Sequence, residues 1–150
     1  MLKCSLREVD GSLKCFQSID QSIAMASLFV ALHLKIKAIA SFTQSGSTAL
    51  WISRLNSGVP IYAMTPEDST RRRMSLYRDV QPIFLPQEQN DREELIRLAE
   101  QKLVDAKIVT QGDLIVVTIG EPLGQSGGTN TMKIVEISAK PFGGSEQLRF

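Results

Sequence analysis

Two stretches of this chain hold the residue types that could do chemistry. In residues 43–48, TQSGST, the hydroxyls of Thr43, Ser45, Ser47 and Thr48 stand beside the Gln44 amide and Gly46. If a strand ends before them and a helix starts within them, these donors join the unpaired N–H groups and partial positive charge of a helix N-terminus, an arrangement that suits a phosphate. The same residues also fit a plain strand-to-helix connection, with Ser47 or Thr48 capping the helix and Gly46 allowing the turn. The second stretch, residues 121–130, reads EPLGQSGGTN. Its candidate ligand-covering residues are Glu121, Gly124, Gln125, Ser126, Gly127 and Gly128, where missing Cβ atoms let a ligand approach the backbone. A hairpin connection with no ligand explains it equally. No Gly-Lys-Ser/Thr closes the segment, so it is not a Walker A loop. Glu121 would repel a doubly phosphorylated ligand directly above it.

What the chain lacks narrows the chemistry further. His33 is the only histidine, so a serine nucleophile with a histidine base beside it, or a zinc site rich in Cys and His, has too few members. His33 is expected near a helix end as a partly buried structural residue, and Asp113 as the acceptor of a turn. No pair of carboxylates flanks a glycine-rich cleft. No catalytic residue and no metal ligand is assigned. Arg71, Arg72 and Arg73 span nearly one helical turn and fan around the axis; they form a solvated face, or one or two of them reach a phosphate or a neighbouring subunit.

The elements that would position these residues follow from periodicity. Short apolar runs at 38–42, 60–64, 82–85 and 114–119 read as strands, the last buried on both faces, and KIVEI at 133–137 alternates like an edge strand. Helical patterns fill 19–34, 48–56, 66–76 and 91–106, with Asp20 a candidate cap for the first, whose apolar positions run nearly all round and predict burial. Strands alternating with helices imply parallel strands under helical layers, a three-layer α/β/α sandwich. The chain of 150 residues is the size of one domain, and 43% hydrophobic with 22% charged residues is a globular composition. Lys and Arg number 17 against 16 Asp and Glu, a balance that favours neither nucleic acid nor an anionic membrane as a partner. Cys4 and Cys15 are expected as reduced thiols in a cytoplasmic protein. Residues 1–18 are atypical, with a possible hairpin turn at Asp10-Gly11, and 138–150 read as a loosely held tail.

Residues 112–118 (GDLIVVT) and 129–134 (TNTMKI), separated by glycines, closely resemble the end of the C-terminal domain of pyruvate kinases. Residues 19–34, 38–48 (AIASFTQSGST), 59–65 (VPIYAMT) and 72–80 (RRMSLYRDV) also fall in that family's order, so the resemblance covers roughly 19–137. It implies a five-stranded sheet, mostly parallel with its last strand antiparallel. It implies that residues 43–48 embrace a phosphate of a sugar-phosphate or nucleotide effector and that 121–130 close over it. Thr43, Ser45, Gly46 and Thr48 fit the family's loop, whereas Ser47 stands where many members have Arg or Lys. The family transfers phosphoryl from phosphoenolpyruvate to ADP with Mg2+ and K+, but its catalytic groups belong to a barrel domain that nothing here matches. The expectation is therefore a domain with no cofactor and no turnover of its own. It acts either as an effector-binding module in a homo-oligomer or with the remainder of a pyruvate kinase, or as a purely structural assembly module. An independent small enzyme on this fold is a third reading.

Overall fold

The computed structural model describes residues 18–86, 91–120 and 128–138. Cys4, Cys15, the Asp10-Gly11 turn and the tail beyond Ser138 lie outside the described residues. The elements run in the order α1 (Ile19–His33), β1 (Ile36–Phe42), α2 (Ser47–Arg54), β2 (Ile61–Thr65), α3 (Asp68–Met74), β3 (Val80–Phe84), α4 (Arg92–Asp105), β4 (Leu114–Gly120) and β5 (Thr129–Glu136). They form one five-stranded sheet in the order β3-β2-β1-β4-β5. All neighbours pair parallel except β4 and β5, which pair antiparallel.

The apolar runs explain this arrangement. β1, β2 and β4 are buried along nearly their whole length, as strands covered by helices on both faces must be. One side of the sheet packs Ala38, Ala40, Tyr62, Met64, Ile115 and Val117 against Leu95, Ile96, Ala99 and Leu103 of α4. The other packs Ile36, Ile39, Ile61 and Val116 against Ala24 of α1, Ala49 and Ile52 of α2, and Met74 of α3. Side chains alternate along a strand, so Ser41 and Thr118 share the α2 side with Ile39 and Val116. The Thr118 hydroxyl donates to Ser41 Oγ at 3.0 Å, satisfying two polar groups that the sheet buries completely.

From β1 the chain winds outward through β2 and β3, then α4 carries it back across the opposite face to place β4 on the other side of β1. The strand order thus reverses between β1 and β4, and in open α/β sheets the crevice at the carboxyl ends of the strands at such a reversal is where ligands collect. Residues 43–46 follow β1 at that edge, where β4 also ends at Gly120.

Two expectations for α1 are corrected. Ser18, not Asp20, holds the N-cap position, and Asp20 lies in the first turn, where its carboxylate accepts the Gln21 N–H at 3.0 Å. Nor is the helix buried all round: only Ala24 and Ser27 are buried, while Ile19, Phe29 and Leu32 are 66%, 60% and 66% exposed. Among the described residues α1 meets α2, β5, β1 and β4, and these leave part of its apolar circumference uncovered.

Candidate functional site

The loop after β1 is organised by its own hydroxyls. Thr43 is still tied to the sheet, its N–H donating to the Met64 carbonyl at 3.0 Å. Thr43 Oγ1 accepts the Gly46 N–H at 2.8 Å, and Ser45 Oγ accepts the Ser47 N–H at 3.3 Å. Gly46 has φ 80°, the left-handed region, and occupies the N-cap position of α2. Its carbonyl accepts the Leu50 N–H at 3.0 Å. Ser47 and Thr48 are therefore the first two helical residues, and neither side chain caps α2. The turn permitted by Gly46 is present; the capping hydroxyls of the alternative reading are not. Among the described residues no acceptor meets the N–H groups of Thr48 and Ala49.

Thr48 itself is fully buried, and its hydroxyl donates to Thr129 Oγ1 at 2.7 Å. Of the donors counted from sequence, this hydroxyl is committed to the protein, leaving the backbone N–H of the same residue. The bond also joins the start of α2 to the start of β5, where the glycine-rich connection ends.

A third wall comes from α3. Thr70 Oγ1 donates to the Gln44 carbonyl at 2.8 Å, and Arg73 Nη2 donates to the Ser45 carbonyl at 2.5 Å while lying 3.4 Å from Thr70 Oγ1. Met74 closes the floor: a Cβ added to Gly46 would lie 3.0 Å from its Cγ. The other two arginines turn elsewhere. Arg71 and Arg72 both grip Asp68 on their own helix, at 2.6 and 2.5 Å. The Arg71 hydrogen bond is the main reason the Asp68 carboxyl sits below the usual carboxylate range. Sequence reading missed Thr70 and Thr129. The available signal was the three-residue spacing of Thr70 and Arg73, which puts them on one helical face.

Of the second candidate stretch, Glu121, Gly124, Gln125, Ser126 and Gly127 lie outside the described residues. Gly128 is placed beside Gly120, and the two glycines bring their backbones together: a Cβ on Gly120 would lie 2.7 Å from the Gly128 carbonyl oxygen. Thr129 and Asn130, expected in the connection, already belong to β5; Thr129 pairs with Gly120, and Asn130 falls at the register shift between the Gly120 and Ile119 pairings.

The remaining single residues fall into place outside this site. Asp113 Oδ2 accepts the Thr110 N–H at 2.8 Å, the turn expected of it. His33 ends α1 with its Nδ1 donating to the Phe29 carbonyl at 2.8 Å and its ring stacked on Phe29. It is exposed, not partly buried.

A mostly parallel sheet whose order reverses at β1 and β4, with a hydroxyl-bearing loop and a helix start at the reversal, defines an α/β domain of the doubly wound class. The family model described as "Pyruvate kinase, alpha/beta domain" matches residues 21–135. This chain belongs to the pyruvate kinase family and carries that domain. It is 41% identical over 124 residues to a pyruvate kinase of Buchnera aphidicola subsp. Schizaphis graminum, covering 82% of this chain and 26% of the relative. It is 37% identical to pyruvate kinase II of Salmonella typhimurium, covering 81% of this chain and 25% of the relative. A Staphylococcus aureus pyruvate kinase is 38% identical over 78% of this chain and 20% of its own length. The chain thus spans about a fifth to a quarter of the length of these relatives.

Proposed function

We propose that this domain binds a phosphorylated metabolite, a sugar phosphate or a nucleotide, at residues 43–48, and that occupancy biases how the domain packs within a pyruvate kinase that transfers phosphoryl from phosphoenolpyruvate to ADP. The observation that carries this reading is the start of α2. A left-handed Gly46 sets the helix at the carboxyl edge where strand order reverses, with Thr48 and Ala49 amides unmatched among the described residues. Such a ligand regulates only if it binds one packing arrangement better than another.

A thermal-shift series with fructose 1,6-bisphosphate, glucose 6-phosphate, ribose 5-phosphate and AMP tests the reading. A ligand at 100 times its dissociation constant adds about 2.7 kcal/mol of stability. Ser47→Asp places a carboxylate at the helix start, which favours the helix dipole but repels a phosphate. It is expected to abolish the ligand-dependent shift while keeping the ligand-free melting temperature. A shift that survives Ser47→Asp moves the site elsewhere.

The exposed Phe29, Leu32 and Ile19 of α1 favour a second reading, a structural module that joins subunits with no ligand. Sedimentation showing an oligomer, together with no shift from any of the four ligands, selects it.

A further inference from the structure

Residues 43–48 carry only neutral donors, yet a phosphate monoester at pH 7 has close to two negative charges. Hydrogen bonds to charged partners are the strong ones, and a guanidinium matches phosphate oxygens in pairs. The described residues place one cation on this loop. Arg73 reaches across from α3, its Nη2 on the Ser45 carbonyl at 2.5 Å and 3.4 Å from Thr70 Oγ1. Its neighbours Arg71 and Arg72 are held by Asp68 instead. Arg73 is exposed, and its hydrogen bonds to the Ser45 carbonyl and Thr70 Oγ1 engage a single nitrogen of a group with five N–H donors.

Resting on the reading of residues 43–48 as a phosphate site, we propose that Arg73 is the cation of that site, contributed by α3 and not by the loop itself. The Ser45 carbonyl is a neutral acceptor that holds the guanidinium over the loop. A phosphate at the start of α2 offers ionised acceptors instead, and the exposed side chain can turn to them without moving α3. Thr70 fixes the distance between the two elements by its bond to the Gln44 carbonyl at 2.8 Å, so the cation stays within reach of the loop. Specificity follows: the site recognises a phosphate monoester by charge, and binding weakens as ionic strength rises.

Isothermal titration of the 150-residue chain with fructose 1,6-bisphosphate, and separately with inorganic phosphate, tests this. Arg73→Gln is expected to weaken whichever probe binds the unsubstituted chain by roughly tenfold or more, the loss of one charge-assisted contact. Arg73→Lys restores part of the affinity, and Arg72→Gln, with the same change in net charge, leaves it within about twofold. The ligand-free melting temperature of each variant is measured alongside, and recovery by Arg73→Lys separates a binding role from a loop-holding one. Equal binding by Arg73→Gln and the unsubstituted chain overturns the proposal while leaving the phosphate site intact. Equal losses in Arg72→Gln and Arg73→Gln overturn it in favour of the general field of the helix. If the unsubstituted chain binds neither probe, the phosphate reading fails and this assignment with it.

Discussion

The Thr48 hydroxyl points into the protein, to Thr129 Oγ1 at 2.7 Å, with both residues buried. Removing one member of a buried pair leaves the other without a partner, whereas removing both with little change of shape is nearly neutral. Thr48→Val or Thr129→Val alone is therefore expected to cost about 1–3 kcal/mol in urea unfolding, and the double variant less than the sum. Fully additive losses would show that the bond contributes nothing. The partnership could not be read from the sequence, because the two residues lie 81 positions apart and neither helical nor strand periodicity links them. The local part of the loop was legible: Thr43, Ser45 and Gly46 act within three residues of one another, and a glycine between hydroxyl residues is an ordinary turn signal.

Among the elements, α3 shapes the loop more than β1 does. Met74 packs beneath Gly46, Thr70 and Arg73 hold the carbonyls of Gln44 and Ser45, and Gly46 keeps φ 80°. Gly46→Ala brings a Cβ into a left-handed conformation that costs roughly 1–2 kcal/mol and within 3.0 Å of Met74 Cγ. The expected outcome is a fall of roughly 2–8 °C in melting temperature and loss of any ligand-dependent shift; an unchanged melting temperature would mean that α3 yields freely. Strand and helix positions were legible because the buried runs at β1, β2 and β4 are short and β-branched or aliphatic. α1 was misread for the opposite reason. Its pattern records apolar surface, and a pattern cannot say whether the covering partner lies inside the domain or beyond it.

At the scale of the molecule, the sheet is covered on one face by α1, α2 and α3 and on the other by α4, which buries one carboxylate, Glu100. Burial raises its pKa above the ordinary 4.5, against the opposing pull of Lys133 and Arg97. Below 4.5 the group is protonated in both folded and unfolded chains and carries no penalty. As pH rises from there through the raised folded value, the unfolded chain gives up its proton first and stability falls, then levels off. Glu100→Gln is expected to raise the melting temperature at pH 7–8 and to leave it unchanged near pH 4; a variant less stable at pH 7–8 would show that Lys133 outweighs burial. The layered fold and the antiparallel last strand were legible from the βα alternation and from the family likeness. The buried carboxylate was not, because the helical pattern over 91–106 does not mark which of its acidic positions the sheet covers.

The seam between β1 and β4 has a kinetic meaning as well. The units β1-α2-β2-α3-β3 and β4-β5 are each built from near neighbours, but Ser41 and Thr118, which meet across the seam, are 77 positions apart. Closing so long a stretch of chain makes that union the high-contact-order event of folding. The hydroxyl loop after β1 and the start of β5, joined by Thr48 and Thr129, flank this junction, so neither half of the polypeptide made separately would possess both.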